Sequence, residues 1–132
     1  MEHINIALTK KIELEINKRP RMAANLLTQR GLNYIVDGYF KRGIDDYILA
    51  CKIDPLFAVW HLKTGMQYCT EWFPKEGIPY LTTALKLAEK NDLNTIGTAL
   101  YDRAIAFAEI GEFDKAFADC NEQIELGNKL KK

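Results

Sequence analysis

The sequence predicts an all-α chain made of tandem helix pairs. Two observations carry this reading. First, the chain repeats itself. With residues 24–57 written above 58–91, Gly31 falls on Gly65, Tyr34 on Tyr68, Gly43 on Gly77 and Ala50 on Ala84, with no gap. Second, each repeat has a small residue at one fixed site in each half. Two helix axes approach closely only where side chains are small.

Residues 1–20 precede the repeats. Ile4, Leu8, Ile12 and Ile16 recur every four residues, as on one helical stripe. Ile12, Leu14 and Ile16 also alternate, as in a strand. Helix is the favoured reading, because the adjoining repeats offer a helical surface to cover. Pro20 separates this segment from the first repeat, so it reads as an N-terminal cap, like the second half of an incomplete pair.

The first repeat, 24–57, reads as two helices joined at Gly38, a residue suited to positive φ. Gly31 lies in the first helix and Gly43 in the second. Glycine costs about 1 kcal/mol of helix propensity relative to alanine, so its recurrence argues for a compensating gain in packing. The ring of Tyr34 is expected beside the crossing. Asp54-Pro55 ends the repeat, since proline cannot continue a helix without losing a hydrogen bond.

The second repeat, 58–91, departs from the first. Trp72 stands at the turn-glycine position, Pro74 replaces an aromatic residue, His61 replaces a large apolar one, and Pro79 falls early in the second helix. Five extra residues come next, Asp92-Leu93-Asn94-Thr95-Ile96. They are expected to lengthen the second helix of that repeat or its exit loop. The third repeat, 97–130, has Ala104 and Ala116 at the small positions, Phe107 at the aromatic one and Gly111 at the turn. Gln123 and Asn128 replace the late alanine and the proline.

The pattern Leu27, Gly31, Tyr34, Gly38, Phe40, Gly43, Tyr47, Ala50 and Pro55 resembles the tetratricopeptide repeat. Gly65, Tyr68, Gly77, Leu81 and Ala84 carry the same likeness in the second repeat. Leu100, Ala104, Phe107, Gly111, Phe113 and Ala116 carry it in the third. The resemblance spans about 24–130. It implies an α–α superhelix, a right-handed solenoid of three helix pairs with an N-terminal helix. It also implies a non-catalytic protein-interaction module that takes a peptide or helix in a concave groove.

By that resemblance the first helix of each pair lines the groove. The residues are Asn25, Thr28, Gln29, Leu32 and Val36, then Lys63, Met66, Cys69 and Thr70, then Tyr101, Asp102, Ile105 and Glu109. Leu32, Met66 and Ile105 give it an apolar centre, and methionine adapts well to an apolar ligand. The competing reading is that some of these residues pack on neighbouring helices or on residues 1–19. The alternative function is a self-assembling scaffold whose groove or ends are filled by another copy or by its own N-terminal segment. Repeats of this kind that hold a chaperone's C-terminal carboxylate tail do so with cationic and amide side chains. Those positions here are Thr28, Leu32, Lys63, Thr98 and Asp102. Only Lys63 adds positive charge and Asp102 repels a carboxylate, so the sequence argues against such a tail as partner.

Two further surfaces stand out. The last helix carries Phe117, Cys120, Ile124 and Leu126 among Asp119, Glu122 and Glu125. Part of this apolar set packs on its own pair, and the remainder is exposed or meets a second copy. Trp60, Trp72 and Phe73 form the other surface, unless they fold back onto their own helices.

Lysine and arginine total 18, as do aspartate and glutamate, so no long-range field draws the chain to nucleic acid or an anionic membrane. The basic clusters Lys18, Arg19 and Arg21, and Lys129, Lys131 and Lys132, read as solvated ends. No apolar run is long enough to span a bilayer. Cys51, Cys69 and Cys120 are odd in number and widely spaced, which fits free thiols in a reducing cytoplasm.

Catalytic signatures such as HExxH, GxSxG or a phosphate loop are missing. The two histidines are His3 and His61; His61 and Cys69 lie two helical turns apart, too far to share a metal unaided. Asp45-Asp46 reads as an acidic pair complementing a helix dipole. The expectation is no enzyme, no cofactor and no metal.

Overall fold

The computed structural model describes residues 2–130, which leaves Met1, Lys131 and Lys132 outside it. Among the described residues there are seven helices and no strand. They are α1 (Glu2–Glu15), α2 (Pro20–Val36), α3 (Phe40–Ile53), α4 (Ala58–Thr70), α5 (Pro74–Leu87), α6 (Leu93–Glu109) and α7 (Phe113–Leu130). The chain divides into an N-terminal body, residues 1–60, and a C-terminal body, residues 61–132.

In the N-terminal body α1 packs on α2, and α2 on α3. The opening segment is helical as expected, and Leu8, Ile12 and Ile16 of its stripe are half-buried or buried, with Ile4 the exception. Ile12 is buried while Ile4 is exposed, and Asn5 takes an inward place by accepting a hydrogen bond from Asn33 Nδ2 at 3.1 Å. Proline opens α2 at Pro20, where its missing N–H costs nothing.

The α2–α3 crossing is built on backbone contact. A Cβ added to Gly31 would stand 2.7 Å from the Gly43 carbonyl oxygen and 2.7 Å from the Tyr47 ring. One added to Gly43 would stand 2.5 Å from the Gly31 carbonyl oxygen. The ring against this crossing is that of Tyr47, not Tyr34. Tyr34 lies between the guanidinium groups of Arg30 and Arg42, at 6.0 and 5.8 Å from its centroid. The body closes at Asp54, which accepts from Arg21 at 2.5 Å and from the Trp60 indole at 2.7 Å.

The C-terminal body repeats the device. A Cβ on Gly65 would meet Leu81 at 2.7 Å, and one on Gly77 would meet the Cys69 sulfur at 2.7 Å. Ala104 and Ala116, both buried, hold the matching places in α6 and α7. Leu62, Leu81, Ala84 and Ala99 form a buried cluster with Met66, Cys69 and Leu85 packed against it. The five extra residues do not lengthen α5; Asp92 adds one residue to its exit loop and the other four extend α6. α5 stops at Leu87, and Asp92 caps α6 by accepting from the Thr95 N–H at 3.2 Å. Leu93 to Ile96 therefore form the first turn of α6.

All three turns within pairs end the first helix in the same way. Tyr39 N–H donates to Tyr34 O and Gly38 N–H to Ile35 O. Phe73 and Trp72 donate to Tyr68 and Cys69, and Glu112 and Gly111 to Phe107 and Ala108. This double bond pattern needs a left-handed residue at its bend. Gly38 and Gly111 supply it with φ of 92° and 82°; Trp72 supplies it with φ of 67°.

A second device recurs between neighbouring helices. Arg30 donates to both carboxylate oxygens of Asp46, at 2.8 and 2.7 Å, and to the Thr9 hydroxyl at 2.9 Å. Arg103 donates to both oxygens of Asp119, at 2.8 and 2.5 Å, and to the Thr82 hydroxyl at 3.2 Å. The sequence separations agree, 16 and 21 residues in each case. Helix α1 thus meets α2 as α5 meets α6. Asp46 is buried in this clamp, so its role is to pair Arg30 and not to complement a helix dipole.

Candidate functional site

The first helix of each pair is the expected binding face. In the N-terminal body, α2 exposes Asn25, Gln29, Leu32 and Val36, which share one side at helical spacing. Thr28 does not join them. It is 3% exposed, and its hydroxyl donates to the Asn25 carbonyl.

In the C-terminal body, α4 exposes Lys63 and Thr70, while Met66 and Cys69 sit half-buried against the apolar cluster. Helix α6 exposes Tyr101 at 56%, Ile105 at 44% and Glu109, and half-buries Asp102. These two helices are brought together around Cys69. Burial raises its thiol to about 11, and the charges of Asp102 and Glu109 push the same way. Cys69 is therefore a protonated thiol at neutral pH, with no nucleophilic character. Burial also raises the Asp102 carboxyl above the ordinary carboxylate value. The α6 face is thus an apolar strip, Tyr101 and Ile105, beside two carboxylates.

The aromatic set does not form one surface. Trp60 is buried and bonded to Asp54, whereas Trp72 is 80% exposed and Phe73 is also exposed. His61 stacks on Tyr80, with ring centroids 6.4 Å apart, which gives it a packing role. Among the described residues no three His, Cys, Asp or Glu side chains gather as metal ligands, and no helix is long and apolar enough to cross a membrane.

Sequence reasoning missed the Arg30–Asp46 and Arg103–Asp119 clamps. Their signal is a recurring arginine-to-aspartate spacing of 16, but the second repeat breaks it with Thr64 and Tyr80 at those places.

No protein-family profile and no curated protein matches the sequence. Solved structures do match. The second TPR of Spaghetti (RPAP3), bound to the HSP90 peptide SRMEEVD, aligns with a TM-score of 0.68 at 22% identity, covering 86% of this chain and 98% of that one. The first TPR of the same protein, bound to the same peptide, aligns with a TM-score of 0.64 at 18% identity, covering 85% and 96%. Both complexes hold a chaperone peptide, which runs against the exclusion of such tails on the strength of Lys63 and Asp102. Those positions rest on sequence offset alone, and Thr28, one of the five, is buried. The exclusion therefore does not stand. The chain of tandem helix pairs aligns with these neighbours over most of its length: it has the tetratricopeptide-repeat fold.

Proposed function

We propose that this chain is a non-catalytic interaction module that takes a peptide or helical segment of a partner protein against the exposed faces of its first helices. The observation that carries this is the α6 face. Tyr101 and Ile105 are large, exposed and carried on a helix pinned by Ala99, Ala104, Ala106 and the Arg103 clamp. Apolar anchors held on a rigid element lose little entropy on binding, which is what a hot spot requires. Structural neighbours at low identity that hold a peptide support the same reading. The three helix pairs serve as repeats 24–57, 58–91 and 97–130, with residues 1–20 as their cap. The three free cysteines fit a reducing cytoplasm.

The test is a selection of displayed 15-residue peptides on the immobilised chain, followed by fluorescence anisotropy with the winners and with SRMEEVD. The reading expects saturable binding that weakens at least about tenfold in Ile105→Glu, because an exposed charge replaces an apolar anchor without touching the core. Selected peptides that ignore Ile105→Glu would contradict it.

A further inference from the structure

Tyr34 and Phe107 hold the same place in the two bodies, 73 residues apart like the clamp arginines Arg30 and Arg103. Each ring lies between two cations. Tyr34 has Arg30 and Arg42, and Phe107 has Arg103 and Lys115. The outer cation is treated differently in the two bodies. Lys115 is matched by the Glu112 carboxylate at 4.0 Å. Tyr39 stands at the place of Glu112, and its ring lies 5.4 Å from the Arg42 guanidinium. Arg42 is thus held by two rings, and among the described residues no acceptor meets its N–H groups.

Arg42 opens onto a cleft of about 630 Å³ between α1 and the start of α3. Hydrogen bonds order its walls. Asn5 to Asn33 and Thr9 to Arg30 set α1 antiparallel to α2, and Arg30 to Asp46 sets α3 alongside. One end of the cleft therefore holds Glu2, Asp37 and Tyr39, and its middle is edged by Lys10 on α1 and Arg42 on α3. Glu13 closes the other end, where its charge acts on Arg30. Asn5 accepts from Asn33, which leaves its Nδ2 group without a partner among the described residues and open to the cleft.

We infer that this cleft is a second binding site, for an extended segment of a partner protein that carries an acidic side chain two to four residues from a basic one. The acidic side chain meets Arg42, whose planar N–H fork matches a carboxylate, with Lys10 nearby. The basic one lies at the end formed by Glu2, Asp37 and the Tyr39 ring. Asn5 Nδ2 donates to a carbonyl of the segment. Charge selects this occupant: three carboxylates repel a purely anionic ligand, and two cations repel a purely cationic one. Length argues for a chain segment. From Glu2 to Glu13 the helix runs about 16 Å, the reach of about five extended residues. From Glu2 to Lys10 it runs about 12 Å, which side-chain reach brings to two to four residues. None of the expected groove residues lines the cleft, so the inference stands apart from the reading of the first-helix faces.

The probes are short capped glycine–serine peptides with one lysine and one glutamate, set two, three or four places apart. Amide chemical shifts of the isotope-labelled full chain at low salt read the binding. At least one probe should shift Asn5, Tyr39 and Arg42 saturably and leave Tyr101 and Ile105 unmoved. Glutamine in place of the probe's glutamate should weaken binding about fivefold, the worth of one well-placed exposed ion pair. The same change should have no effect on binding to Arg42→Gln. Glutamine in place of the probe's lysine should weaken binding to the parent, and less so to Asp37→Asn. Circular dichroism of both variants should match the parent, since both side chains are exposed. The inference is overturned if no probe saturates, or if Arg42→Gln still distinguishes glutamate from glutamine. It is also overturned if separate capped lysine and glutamate bind as tightly as the linked peptide, which would give the cleft to small ions.

Discussion

Replacing Gly31 by alanine strains the α2–α3 crossing at its tightest point. The new Cβ would lie 2.7 Å from the Gly43 carbonyl oxygen and 2.7 Å from the Tyr47 ring, where ordinary contacts begin at 3.4 Å. Neither neighbour is free to retreat, since one is backbone and Tyr47 is only 3% exposed. The helices must part by about 0.7 Å or the ring must leave its rotamer, and overpacking of that kind costs about 1–3 kcal/mol. Better helix propensity returns about 1 kcal/mol. The net expectation is a loss of up to about 2 kcal/mol, or a fall in Tm of up to about 7 °C for a chain of this size. Gly97→Ala is the control. It also sits inside a helix, but its Cβ would meet only Leu126 Cδ2 at an ordinary 3.6 Å. That variant should gain about 0.5–1 kcal/mol from propensity alone. Thermal and urea melts of both read the difference. If Gly31→Ala proved as stable as Gly97→Ala, the close approach of α2 and α3 would not be what the glycine is for.

The other expectations are simpler. Arg103→Leu should destabilise by about 3 kcal/mol in urea melts, because it strands the buried carboxylate of Asp119; adding Asp119→Leu should recover much of the loss, as apolar replacement of a buried pair often does. Trp72→Gly should raise stability by about 1 kcal/mol, since the left-handed bend costs a residue with a Cβ about that much and glycine nothing, whereas Gly111→Ala at the same bend should lower it. Asp102→Asn should be more stable than the parent at neutral pH. Burial raises the folded carboxyl, so the folded state holds its proton more tightly than the unfolded one. Parental stability therefore declines as pH climbs from the usual carboxylate value through the raised one, and the variant should show a flatter profile across that window.

Most of the fold was legible because repetition magnifies weak signals. A single glycine in a helix says little, but Gly31 with Gly65 and Gly43 with Gly77 at one spacing identify the crossing, and the structure finds backbone contact there. Offsets were less informative for side chains. Tyr34 and Tyr47 are both aromatic, and only coordinates show that Tyr47 fills the crossing while Tyr34 meets two arginines. Of the extra residues 92–96, Asp92 does lie in the exit loop, but Leu93 to Ile96 open α6, which the sequence hides until the cap bond from Thr95 to Asp92 is seen. Thr28 belonged to the groove by spacing, yet it satisfies its hydroxyl locally and is covered. Trp72 was visible as a departure from glycine, but its left-handed φ and wet indole needed the structure.

Amide chemical-shift mapping of the isotope-labelled chain, titrated with a selected peptide, locates the binding face residue by residue. Saturating shifts should concentrate on α6 around Tyr101, Asp102 and Ile105, with a response at Cys69. Shifts gathered instead on the far side of the same helix, around Ile96 and Leu100, would contradict the proposed face.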